Sequence, residues 1–121
     1  MKILKYLSLG GLLFFAMMIV NAVRFQYGPE DAFWRTLMTP FEGTVWAPGF
    51  KESEFSKVRV GMMVEEVVKL LGEPIRRSCD EKDCHLTYTW HDTATADYDQ
   101  RWVVVDPSER VIEIHKSFFI D

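Results

Sequence analysis

The chain has 121 residues, 48% of them hydrophobic and 14% aromatic, with a formal net charge of −4. Such a composition excludes general disorder and leaves room for one small domain plus an appendage. Beyond residue 23, twelve basic residues face eighteen acidic ones, a balance of −6 that excludes a nucleic-acid partner needing a basic surface. No phosphate-binding GxxxxGK, GxGxxG, GxSxG or HExxH pattern occurs in the sequence, which removes the common enzyme signatures.

After Lys2 and Lys5, residues 6–23 read YLSLGGLLFFAMMIVNAV, without a charge until Arg24. About 18 to 20 apolar residues are needed to cross a hydrocarbon layer of roughly 30 Å. Residues 1–23 are therefore expected to form a transmembrane anchor, with the two lysines on the cytoplasmic side. A cleaved signal peptide is the alternative, because Val20-Asn21-Ala22 fits the small-residue cleavage rule. Either way, the rest of the chain leaves the cytoplasm.

Residues 24–45 are read as a juxtamembrane linker. Prolines, glycines and aromatics crowd the stretch 24–50, and regular structure is poorly supported there. Phe25, Tyr27 and Trp34 suit the headgroup level beside the anchor, or else pack back on the domain.

A domain is expected over 46–121. A short helix over 52–58 would place Phe55 and Val58 on one face. In GMMVEEVVKLLGEP (61–74), Val64, Val67, Val68 and Leu71 recur at i, i+3, i+4 and i+7, with Glu65, Glu66 and Lys69 opposite. Gly72 and Pro74 then stop that helix. Beyond it the period changes to two. HLTYTWHD (85–92) sets Leu86, Tyr88 and Trp90 on one face and Thr87, Thr89 and His91 on the other. RWVVVD and VIEIHKSFFI, joined by the turn DPSER (106–110), should pair as a hairpin. Residues 92–99 form a polar connection. The expected fold is α+β, two helices packed on a three-stranded antiparallel sheet (ααβββ), with one sheet face left open.

The passage FSKVRVGMMVEEVVKLLGEP, the Y-x-W strand and the VVVDPSERVIEI hairpin together resemble the SmpA/OmlA/BamE family of small bacterial envelope proteins. The resemblance spans about Trp46 to Phe119. It implies the ααβββ fold shared with β-lactamase inhibitor proteins, and binding of another envelope or membrane protein without catalysis. An accessory or assembly role in an envelope complex follows by that likeness. Family members usually carry Thr where this chain has Met63, and the outer-membrane assembly members carry a lipobox cysteine that is absent here. A hydrophobic anchor instead points to the inner membrane, with the domain in the periplasm.

Among chemical candidates, Cys79 and Cys84 suit a disulfide in an exported domain. Closing so short a loop is worth on the order of 2 kcal/mol. A metal or small-ligand site built from Cys79, Cys84 and His85, with His91 nearby, is the rival, and free thiols are a third reading. The acidic groups Asp80, Glu81 and Asp83, and Asp92, Asp97 and Asp99, lack the calcium-loop order and read as solvated loop charge. No catalytic residue, metal ligand or cofactor is assigned. His115 reads as an exposed strand residue.

Binding is expected on the open sheet face, assigned to Thr87, Thr89, Arg101, Val103, Val105, Glu113 and His115. Aromatics and arginines dominate interface hot spots, so Tyr98, Arg101 and Trp102 near the loop rim are the first protein-binding candidates. Arg76 and Arg77 are the second.

Overall fold

A computed structural model describes residues 2–92 and 97–120, in two compact units, Met1–Glu42 and Gly43–Asp121. In the first unit, α1 (Lys2–Phe25) runs unbroken through Val20-Asn21-Ala22. It is long and apolar enough to cross a membrane, with a mean hydropathy of 2.0. Gln26 takes a left-handed φ of 55° and turns the chain. A second helix, α2 (Pro29–Leu37), then packs on α1, followed by a 3-10 turn at Thr39–Phe41. The stretch 24–45 thus holds a helix where the sequence offers poor support for regular structure. Its helix starts as local chemistry dictates, with proline in the first position and Glu30 and Asp31 beside the positive end of the dipole.

The second unit keeps the expected α+β class but not the three-stranded ααβββ arrangement. Its elements are β1 (Thr44–Trp46), α3 (Glu52–Phe55), α4 (Val64–Leu71), β2 (Arg76–Cys79), β3 (Cys84–Thr87), β4 (Thr89–His91), β5 (Tyr98–Val105) and β6 (Val111–Phe119). Strands β2-β3-β5-β6 form a four-stranded antiparallel sheet, and β1 pairs with β4 in a second, two-stranded one. Three strands are added: β1, which pairs with β4, and two more that arise from separate features. The hairpin β2–β3 pairs Arg76–Cys79 with Cys84–Thr87, and every β2 side chain is exposed, so no apolar alternation announces it. The other is a break at Tyr88. Tyr88 and Thr89 are both buried, so the alternation slips by one residue and Trp90 points outward instead of joining Leu86 and Tyr88. The Tyr88 amide donates to the Arg101 carbonyl, while the Arg101 amide donates to the Thr89 hydroxyl in place of a backbone oxygen.

The core forms where α3 and α4 cover one face of the larger sheet. Phe55, Val58, Val64, Val67 and Leu71 meet Leu86, Tyr88, Val103, Val105 and Val111. Val68, expected on that stripe, is only half-buried. Helix α4 begins at Met63 without a side-chain cap. Its first amide, from Val64, donates to the Glu109 carbonyl at 2.9 Å, and the Gly61 amide donates to Val111. The turn between β5 and β6 therefore takes up the first amide of the helix, which a cap side chain would not reach. Asp106 builds that turn by accepting from the Ser108 and Arg110 amides and the Ser108 hydroxyl. These bonds hold its carboxyl below the usual range, the hydroxyl contributing most.

Candidate functional site

Register sorts the side chains of the larger sheet. Leu86 pairs with Val103 and Thr87 with Trp102, while Trp102 in turn pairs with His115. Side chains alternate along each strand. Leu86, Val103 and Val105 thus belong to the helix-covered face. Ser78, His85, Thr87, Gln100, Trp102, His115 and Ser117 belong to the open one. The open-face set expected from sequence was therefore half misplaced. Thr87, Glu113 and His115 lie there, whereas Thr89, Arg101, Val103 and Val105 are buried beneath. Four consecutive apolar residues from Trp102 to Val105 gave the alternation nothing to choose between.

A groove of about 390 Å³ opens on this face, lined by Arg76, Ser78, Asp80, His85, Thr87, Trp90, Tyr98 and Trp102. Trp102 stacks flat on His115, with ring centroids 3.7 Å apart and planes at 6°. Nε2 of His115 lies 3.0 Å from Gln100 Oε1 and 2.9 Å from Ser117 Oγ, and Gln100 Nε2 donates to the Tyr98 hydroxyl at 3.1 Å. This polar chain fixes the two aromatics from behind. Tyr98 also meets His91 and Phe119 edge-on. On the opposite wall the Arg76 guanidinium lies 5.8 Å from the Trp90 ring centroid, within cation–π range. At the hairpin tip, Asp80 Oδ1 accepts the amides of Lys82 and Asp83. Those backbone bonds hold its carboxyl below the usual range and keep a fixed negative charge at the rim.

The expected site residues meet different fates. Tyr98, Trp102 and Arg76 come together in the groove. Arg77 pairs with Leu86 on the other face and lines a second pocket, of about 290 Å³, beside Cys79, Cys84 and Pro107. Arg101 corrects the sequence reading most. It is fully buried on the helix side, where Nε donates to both Glu52 oxygens at 3.1 Å and Nη1 donates to the Gln100 carbonyl at 2.7 Å. Beside it, burial lowers the Lys116 ammonium below its usual range, although Glu52 opposes the shift. Asp97 and Asp99 are not solvated loop charges either. Both are buried, and Asp99 accepts from the Thr44 hydroxyl. Residues 93–96 of the expected 92–99 connection lie outside the described residues, and β5 already begins at Tyr98.

Cys79 and Cys84 form a disulfide across β2–β3. They share the face of Leu86 and Arg77, while His85 pairs with Ser78 on the opposite face. The rival site built from Cys79, Cys84 and His85 therefore fails twice: its thiolates are consumed and its imidazole points away. Sequence reasoning placed His115 on the binding face but missed His85, Trp90 and Gln100 as groove or support residues. Only the register, taken outward from Trp102, would have found them.

No family model matches the chain, and neither the curated proteins nor the solved structures yield a match.

Proposed function

We propose that the second unit is a non-enzymatic protein-binding module, held at a bacterial envelope membrane by α1, which docks a segment of another envelope or membrane protein on its open sheet face. The observation that carries this reading is the groove walled by Trp90, Trp102, Tyr98 and Arg76, with Trp102 held by His115 and Tyr98 by Gln100. Rigid tryptophan, tyrosine and arginine side chains at a concave site supply contact area at low entropic cost, the usual make-up of an interface hot spot. The hydroxyls of Ser78, Thr87 and Tyr98, with charges of both signs at Arg76 and Asp80, suit a polypeptide backbone and its polar ends. The resemblance to small envelope accessory proteins agrees with this use and with an accessory or assembly role, while the hydrophobic anchor in place of a lipobox cysteine favours the inner membrane, with the module in the periplasm.

A photo-crosslinking residue placed at Thr87 of the full-length chain tests the proposal in cells. Adducts to a protein partner are expected at Thr87 but not at Arg77, on the reverse face. Trp102→Ala combined with Arg76→Ala should lower recovery of that adduct at least about tenfold, since a hot-spot residue contributes 2 kcal/mol or more. Circular dichroism should leave the double variant folded. Adducts from Arg77 alone would sink the assignment of this face.

A further inference from the structure

Helix α2 is built inside out. In water an amphipathic helix turns its aromatics inward and its small or polar residues outward. Here the residues buried on α2 are Ala32 and Thr36, whereas Phe33 is 39% exposed, Trp34 37% and Leu37 44%. Phe41, from the following 3-10 turn, adds a further ring at 63% exposure. The contact between α1 and α2 instead joins one edge-on ring pair, Phe14 and Phe33 with centroids 5.7 Å apart, to small residues and a hydrogen bond: Asn21 Nδ2 donates to Thr36 Oγ1 at 2.9 Å, and Thr36 Oγ1 donates to the Ala32 carbonyl. That is how helices associate within lipid, where close approach and interhelical hydrogen bonds replace the hydrophobic drive. The basic group of α2 is also turned away from the aromatic stripe. Arg35 pairs with Glu42 at 3.7 Å and lies 5.1 Å from the Phe25 ring centroid.

We infer that α2 is a membrane-interfacial helix whose Phe33, Trp34 and Leu37 face is covered by lipid at the boundary between headgroups and acyl chains. The occupant follows from continuity, because α1, against which α2 packs, itself exposes a surface apolar enough for the hydrocarbon layer. With nine residues, α2 rises only about 13 Å, too little to span roughly 30 Å of hydrocarbon, so it lies at the boundary. Glu30 and Asp31 in its first turn keep that end in water. Phe25 and Tyr27, expected at the headgroups, are instead buried and stacked on one another. The inference rests on α1 being an anchor and adds a second, independent membrane contact.

The test uses the full chain in opened native membranes, with one added cysteine, either Leu37→Cys or Glu30→Cys. The unaltered chain is the blank, because Cys79 and Cys84 are bonded to each other. A membrane-impermeant maleimide should label Leu37→Cys about tenfold more slowly than Glu30→Cys, as expected for a residue at the acyl boundary. In vesicles of brominated phosphatidylcholine, a bimane on Leu37→Cys should be quenched and one on Glu30→Cys should not. Equal labelling rates in carbonate-resistant membranes would overturn the lipid placement while leaving the anchor standing. Slow labelling without quenching would also overturn it, since protein would then cover the face. Release of the chain by carbonate would remove the anchor and the lipid placement together.

Discussion

Arg101 and Glu52 form an ion pair between β5 and α3, and its chemistry is structural. The arginine side chain is fully buried and the carboxylate keeps only a fifth of its exposure. A guanidinium withdrawn from water needs an opposite charge and hydrogen bonds to offset its lost hydration. Arg101→Ala should therefore cost about 3 kcal/mol, read as a lowered urea midpoint of the detergent-solubilised chain, because Glu52 would be left without its partner. Replacing Arg101 and Glu52 together by methionine should restore most of that loss. A single variant within about 1 kcal/mol of the parent would show the pair to be solvated. Tyr88 gives a second residue-scale expectation. Burial, aided by the charge of Glu73, pushes its phenol from the ordinary 10 to about 12, while the hydroxyl donates to the Gly72 carbonyl at 3.0 Å. A raised pKa favours the neutral form. The stability it contributes is complete below pH 10 and is lost as pH rises through about 12. A spectrophotometric titration should show one tyrosine ionising late, and Tyr88→Phe should delete that last step. Ionisation of all tyrosines near the ordinary value would contradict the packing around β3 and β4.

At the scale of elements, α4 and the β5–β6 turn form one device. Val64 gives its amide to Glu109, Val111 gives its amide to Met62, and Arg110 Nη1 donates to the Gly61 carbonyl. Gly61 permits this approach at φ 91°, and Glu109 accepts a left-handed φ of 63° to present its carbonyl. Met63 has an extended backbone suited to a cap residue, yet no side-chain oxygen to offer. The Glu109 carbonyl takes the Val64 amide and the Met63 carbonyl takes the Glu66 amide at 3.0 Å, which leaves the second amide, that of Glu65, for a hydroxyl. Met63→Thr should consequently add about 0.5–1 kcal/mol to stability, measured as a higher urea midpoint, because a threonine side chain at the cap position reaches that amide. Glu109→Pro would remove a turn amide that donates to Asp106 and should reverse any gain. A destabilised Met63→Thr would mean that the half-buried methionine is worth more as packing than the hydroxyl is as a cap.

For the molecule as a whole, period-3.6 patterning made α4 legible, with Val64, Val67 and Leu71 buried as the spacing required. The Asp106–Arg110 turn likewise announced the β5–β6 hairpin. What stayed hidden had physical reasons. Strand β2 has no buried face to leave a pattern, α2 reverses the usual amphipathic rule, and one slipped residue at Tyr88 moves Trp90 from core to groove. The groove was half legible, through Tyr98, Trp102 and Arg76, because residue type marks a hot spot while only register assigns a face. Compartment joins the two units in one expectation. The disulfide ties β2 to β3 beside the groove walls Arg76, Ser78 and His85, and it persists only where thiols are not kept reduced. If α1 holds Lys2 and Lys5 in the cytoplasm, the second unit lies on the oxidising side of the membrane. Trapping thiols with acid and counting them after denaturation should then find none reactive in the native chain and two after reduction. Replacing Lys2 and Lys5 by glutamate while adding lysines after α1 should invert the anchor and return two reactive thiols without any reductant. Two free thiols in the unaltered chain would contradict the disulfide, and no change of thiol state on inversion of the anchor would overturn the oxidising-side placement.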